Sequence, residues 1–187
     1  MRLTVVTPTI SRRSLLDTLL SIYKQLGPGD EHIVIGDGKQ PEAAAMCSSF
    51  GATYYDGPVT HDYGNTQRDL AATLATGDYL LYCDDDDTFT PNALALVRDA
   101  VQAEPGIPHV FRMHHPTFGV LWKRPALVCG NVGTPMFAVP NDDRLALWVD
   151  GNPQTYEGDY RFIARTVANH GGRCGWQEGI VCNVGRV

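Results

Sequence analysis

Apolar positions along this chain alternate between two rhythms. Residues 3–7 form a short β-rich run, after which Leu15, Leu16, Leu19, Leu20, Ile22, Tyr23 and Leu26 recur at helical spacing. Ser11 is placed to cap that helix, and Gly27-Pro28-Gly29 to stop it. The alternation then repeats. A buried strand at 32–35 ends at Gly36-Asp37-Gly38, Pro41 opens a short helix to about residue 50, and 53–55 reads as a third strand. Asn65 caps a helix that runs to about 75, residues 79–83 form a strand that enters a run of aspartates, and Thr90-Pro91 starts a helix to about 103.

Strands and helices in this order predict an α/β fold with a mostly parallel central sheet and helices on both faces. In such sheets ligands sit at the carboxyl ends of the strands, where Pro8, Asp37 and Asp84 all fall. After Pro108 the texture changes to shorter β-like pieces at 110–114, 118–122 and 136–139, separated by Gly, Pro and Asn. One clear helix follows at about 159–170, with Phe162, Ile163, Thr166 and Val167 on one side and Gly171-Gly172 as its stop. No repeat or linker interrupts the chain, so the expectation is a single domain over residues 1–187.

Composition narrows the function classes. No stretch approaches the roughly 18 uninterrupted apolar residues of a membrane span, which predicts a soluble protein with no membrane partner. Five scattered cysteines without a CxxC pair suit reduced thiols in a cytoplasm. A net charge of −6 argues against a large phosphate-binding surface, yet the acids are uneven, with Asp84, Asp85, Asp86 and Asp87 consecutive.

Four carboxylates at the end of a buried strand repel one another, each close pair by roughly 3 kcal/mol at about 6 Å for an effective dielectric near 20. A divalent cation offsets that repulsion. Mg²⁺ or Mn²⁺ takes one or two protein carboxylates and completes its shell with phosphate oxygens and water, which implies a phosphorylated ligand. The bland reading of the same run is a solvated acidic turn at the start of a helix.

Four segments, in order, resemble family 2 glycosyltransferases of the GT-A fold. TPTISRRSLLDTLLSIYKQ is similar to the family's opening strand, turn and helix, and HIVIGDG to its second strand and acidic turn. QRDLAATLATGDYLLYCDDDD resembles its Arg-containing helix, strand and Asp-x-Asp motif, while YEGDYRFIARTVANHGG resembles its late acidic motif and helix. The resemblance implies a nucleotide-sugar-binding half at about 1–104 and an acceptor-side half at about 105–187. It places Thr7, Pro8 and Thr9 at the base pocket, with Arg12 among the donor-binding residues. Asp37 would hydrogen-bond the base and Arg68 would brace the nucleotide side. Asp84 and Asp85 would face ribose or metal, and Asp86 would be the main ligand of Mn²⁺ or Mg²⁺, with Asp84 second. The chain departs from the pattern at Gly36, Lys39 and Asp69, where the family often has an acid, a serine and an asparagine.

The implied reaction is metal-dependent, inverting transfer of a sugar, with a UDP-sugar the preferred donor, to a hydroxyl on a saccharide, small molecule, protein or hydroxylated DNA base. DNA enters only as an acceptor. Asp159 is the favoured general base and Glu157 the second candidate. A carboxylate in the first helical turn is also explained as a helix-start residue, and the helix dipole would make it a weaker base unless burial counteracts it. His114-His115 is set aside as a metal pair, since neighbours on a strand point to opposite faces.

Two other readings compete. YLLYCDDDDT also fits the motif of haloacid-dehalogenase-type phosphatases, with Asp84 as nucleophile together with Asp86 and Thr88. That motif usually lies near the chain start and needs a later lysine, and Lys123 is the only lysine downstream. The third reading is a nucleotide-sugar binding module without catalysis.

Overall fold

A computed structural model describes residues 1–151 and 157–185. The first half follows the expected alternation: β1 (Leu3–Thr9), α1 (Leu15–Tyr23), β2 (Glu31–Gly36), α2 (Pro41–Ser49), β3 (Thr53–Asp56), α3 (Asn65–Leu74), β4 (Tyr79–Tyr82) and α4 (Ala93–Ala103). A short strand, β5 (Thr88–Phe89), lies between β4 and α4. The second half contains β6 (His109–His115), β7 (Gly119–Leu121), β8 (Phe137–Pro140), α5 (Gly158–Asn169) and β9 (Gly175–Asn183).

Among the described residues these strands make one sheet in the order β3-β2-β1-β4-β8-β6-β9-β5, with β7 pairing β6. β1 is flanked by β2 and β4, both parallel to it, so the chain order reverses at β1 and opens a crevice at its carboxyl end. Side-chain alternation covers both faces. Val34 packs with Leu15, Leu19, Ala43 and Cys47 from α1 and α2. Ile33 and Ile35 belong to the main core, which includes Ala71 of α3.

Antiparallel pairing begins where the βα repeat stops. β8 lies antiparallel between β4 and β6, while β9 returns parallel to β6 and antiparallel to β5. Strands β5 and β9 are absent from the sequence reading. β5 is two residues long, and β9 is interrupted by Gly179 and paired with β6 through register shifts, so neither shows a clean two-residue period.

Three expected caps fall elsewhere. Ser11 sits at φ 65° with its N–H on Thr9 Oγ1, and α1 begins only after Ser14. Thr90 is drawn into the sheet, its N–H and hydroxyl donating to the carbonyls of Val181 and Ile180, so α4 starts later, after Asn92. Asn65 is the first residue of α3, not its cap. The cap chemistry comes from Asp62, whose carboxylate accepts from Thr66 N and Oγ1 at 3.0 and 2.6 Å. Gly64 takes the left-handed conformation between them, and a Cβ there would stand 2.7 Å from the Pro8 ring.

Candidate active site

The reversal at β1 brings the ends of β1, β2 and β4 to one place. A cavity of about 360 Å³ opens there, lined by Pro8, Thr9, Arg12, Asp37, Arg68 and Asp84 to Asp86, among others. Thr7 lies below it, buried in β1 and 2.9 Å from His32 Nε2. Asp37 follows β2, its N–H on the Thr9 carbonyl at 2.8 Å. Its carboxylate accepts from the backbone N–H groups of Thr60 and His61 at 2.7 and 3.1 Å and from Gln67 Nε2 at 3.1 Å.

The four aspartates after β4 have different partners. Asp85 is buried and accepts from Thr9 Oγ1, the Ile10 N–H and the Arg12 guanidinium. Asp84 pairs with Arg68, which is only 3% exposed. Burial alone would lower the Arg68 pKa, but Asp84 and Asp159 together outweigh it and raise the guanidinium above its ordinary value. Arg68 also donates to the Tyr63 carbonyl at 2.9 Å and lies 4.7 Å over the Trp148 ring. Asp87 is buried, accepts from the Gly185 N–H at 2.9 Å, and is pushed up towards the protonated form by that burial and by Asp84.

Asp86 differs from these three. The cation beside it, Arg12 Nη1, stands 3.9 Å away, beyond hydrogen-bond reach. Burial raises its pKa, Arg12 opposes that, and the charges of Asp84 and Asp85 raise it further. This is a carboxylate whose charge the chain leaves largely uncompensated, so a cation fits there. Among the described residues no three His, Cys, Asp or Glu side chains converge as a metal cage. The donor set therefore suits an ion that takes one or two carboxylates and fills its shell from phosphate and water.

A second cavity, about 420 Å³, shares Tyr63, Asp84 and Asp86 with the first and is lined by Met113, Phe118, Leu121, Thr134 and Asp159 among others. Asp159 enters it from the first turn of α5. Its carboxylate accepts from the Thr134 N–H at 3.1 Å and from Thr134 Oγ1 at 2.8 Å. Burial raises the Asp159 pKa against the lowering effects of Arg68 and Thr134, and the charge of Asp84 adds to the rise. Burial thus acts against the helix dipole at this residue. Glu157 stands at the N-cap position of α5 and is exposed, outside the residues that line either cavity. Tyr156, which opens the late acidic segment, lies outside the described residues.

Several contributors carry no motif. Trp148 stacks on Phe162 at 3.9 Å and meets Tyr82 edge-on, so one aromatic cluster supports both Arg68 and the helix that carries Asp159. Asp69, where the family pattern has asparagine, accepts from the Trp148 and Val149 N–H groups at 2.7 and 3.0 Å and so fixes that cluster to α3. Gly36 has its own reason: a Cβ there would lie 2.3 Å from the Tyr54 hydroxyl, so an acid in its place cannot be accommodated without moving Tyr54. Period and composition point to none of these. The available signal was the apolar run Leu145-Ala146-Leu147-Trp148-Val149 between two polar stretches.

The phosphatase reading fails on this geometry. Asp84 is engaged by Arg68, no lysine lines either cavity, and Lys123 Nζ donates instead to the Phe118 carbonyl.

The family model for "Glycosyl transferase family 2" matches residues 4–172. An uncharacterized glycosyltransferase of Haemophilus influenzae is 28% identical over 116 residues, covering 61% of this chain and 38% of that protein. S. aureus TarS 1–349 in complex with UDP-GlcNAc shares the fold at TM-score 0.76 and 17% identity, over 100% of this chain and 59% of its own. The mannosyltransferase PcManGT from Pyrobaculum calidifontis, in complex with GDP-Man and Mn²⁺, gives TM-score 0.71 and 16% identity, over 98% and 56%. This chain therefore spans between about two-fifths and three-fifths of the length of these relatives. No described helix is long and apolar enough to cross a membrane. With the match running through both cavities, the chain belongs to glycosyl transferase family 2.

Proposed function

We propose that this chain is an inverting hexosyltransferase that moves a sugar from a nucleotide-diphosphate donor, a UDP-sugar by preference, to a hydroxyl acceptor. The observation that carries this reading is the division of labour among the acids. Asp84 and Asp85 are matched by arginines, Asp86 is left facing both cavities, and Asp159 lies in the second with a raised pKa. TarS with UDP-GlcNAc and PcManGT with GDP-Man and Mn²⁺ support a donor of this class.

In this reading the first cavity holds the nucleotide, with Pro8, Thr9 and Asp37 at the base end and Arg12 and Arg68 as the cationic frame. Asp86, with Asp84, would hold Mn²⁺ or Mg²⁺, which when bound neutralises the diphosphate leaving group as a Lewis acid. Asp159 accepts the proton of the acceptor hydroxyl as its oxygen bonds to the anomeric carbon and the bond from that carbon to the diphosphate breaks. Thr134 fixes the carboxylate with two donors, and burial raises its proton affinity, as a general base requires. Asp159 serves better than Glu157 because it lines the second cavity.

A thermal-shift panel of UDP-, GDP-, ADP- and CDP-sugars with and without Mn²⁺ tests the donor, since stabilisation grows as RT ln(1 + [L]/Kd). Selective, Mn²⁺-dependent stabilisation by a UDP-sugar is expected, and no response to any donor contradicts the proposal. Donor binding without hydrolysis or transfer to saccharide, protein and hydroxymethylpyrimidine-DNA acceptors would reduce the chain to a binding module.

A further inference from the structure

Residues 58–64 cross the mouth of the first cavity between β3 and α3. His61 and Tyr63 both sit at positive φ, 51° and 62°, immediately before Gly64 at 82°. That region is routine for glycine and disfavoured for residues with large side chains. The backbone around them is fastened firmly enough to hold it. Asp37 takes the N–H groups of Thr60 and His61, Gln67 Nε2 donates to the Pro58 carbonyl at 2.9 Å, and Arg68 holds the Tyr63 carbonyl.

This anchoring does not bury the two rings. The His61 side chain is 82% exposed and Tyr63 80% exposed, yet both line the first cavity, and Tyr63 lines the second as well. Core packing therefore explains neither the strained backbone nor the size of the side chains. A ligand that covers the rings explains both.

Building on the donor reading above, we propose that residues 60–64 form a donor-reading clasp, with His61 at the base and Tyr63 over the sugar where the cavities meet. His61 Nδ1 lies 3.1 Å from Asp37 Oδ2. With that nitrogen donating to the carboxylate, Nε2 becomes an acceptor and suits a base that offers a ring N–H, as uracil and guanine do and adenine and cytosine do not. Both Asp37 oxygens already accept from Thr60, His61 and Gln67, so the imidazole extends the acceptor chemistry of this end towards the ligand. Tyr63 borders Asp84 and Asp86 in both cavities, and a ring there covers the sugar attached to the diphosphate.

The test is calorimetry with Mn²⁺ on the wild type, His61→Ala, Tyr63→Ala and Tyr63→Gly, titrated with UDP, GDP, ADP, CDP and UDP-GlcNAc. The wild type should prefer UDP and GDP to ADP and CDP, and His61→Ala should erase that preference. Tyr63→Ala should leave UDP affinity within about twofold and weaken UDP-GlcNAc by about tenfold, the scale of one aromatic contact. Tyr63→Gly, which removes the backbone strain, should show an equal or higher Tm than the wild type together with the same loss for UDP-GlcNAc. Unchanged affinities in all variants, or normal UDP-GlcNAc binding by Tyr63→Gly, would overturn the clasp while leaving the donor reading intact. A wild type that binds none of these nucleotides overturns both.

Discussion

The two cavities meet at Asp84 and Asp86 but treat their carboxylates in opposite ways. In the first, Asp84 and Asp85 are set against the guanidinium groups of Arg68 and Arg12. In the second, Asp159 takes its hydrogen bonds from a neutral threonine, and burial raises it against the more remote charge of Arg68. Charge matched by charge makes a frame that can position an anionic ligand around a cation. Charge matched by a neutral donor in a desolvated wall makes a group that can take up a proton. On the proposed function, the contrast would separate binding from chemistry within one crevice, and it can be broken residue by residue.

The largest effect is expected at the neutral-partner side. Asp159→Asn keeps the shape and the Thr134 contact but cannot accept a proton, so turnover should fall by about 10³-fold while donor affinity stays within twofold. Steady-state kinetics beside calorimetry reads both, and normal turnover rules Asp159 out as base. On the charge-matched side, Arg68→Met leaves Asp84 without its cation and empties the contact over Trp148. Breaking this pair, whose arginine is buried and whose carboxylate is part-exposed, should cost about 2 kcal/mol, read as a lower urea midpoint. A variant as stable as wild type would mean that Asp84 needs no partner.

A smaller effect lies beneath the first cavity. Burial pushes the His32 pKa down from its ordinary 6.5 to about 3, so the unfolded chain binds the proton that the folded chain refuses. Its contribution to stability is complete above pH 6.5 and is lost at about 1.4 kcal/mol per pH unit as pH falls towards 3. His32→Gln removes that slope, so its stability deficit relative to wild type should shrink by about 1.6 kcal/mol between pH 6.5 and 5. A constant deficit would mean that His32 takes up its proton equally in the folded and the unfolded chain.

The smallest effect sharpens the assignment of the base. Thr134→Val deletes one hydroxyl donor to Asp159, worth about 1 kcal/mol, and should lower turnover about fivefold. Because that hydroxyl favours the ionised carboxylate, its loss should also move the acid limb of the pH–rate profile to higher pH. A fall in rate without that displacement would make Thr134 a packing residue only.

Legibility along the chain follows the same divide. The first half is built from complete βα units, each with its own apolar period and stop signal, so β1 to β4 and α1 to α3 could be read locally, as could the positions of Asp37, Arg68 and the aspartates. The second half is assembled from distant pieces: β8 inserts beside β4, and β9 returns to pair with β6 and β5. No local period encodes such pairings, which is why β5 and β9 were not foreseen and why Thr90 was read as a cap. Trp148 and Thr134 were likewise invisible, because what makes them matter is the arginine and the carboxylate they meet across the fold. The α5 face is readable, since Phe162, Ile163, Thr166 and Val167 repeat at helical spacing, whereas Asp159 is singled out only by the resemblance to family 2.

The central claim is that Asp86 is the carboxylate the chain leaves for a cation and, through it, for a diphosphate. Calorimetric titration of UDP-GlcNAc into the wild type and Asp86→Ala, each with Mn²⁺ and with chelator, addresses it most directly. The account predicts Mn²⁺-dependent binding by the wild type and a loss of about a hundredfold or more in Asp86→Ala, to the level seen with chelator. Mn²⁺-dependent affinity unchanged in Asp86→Ala would contradict it.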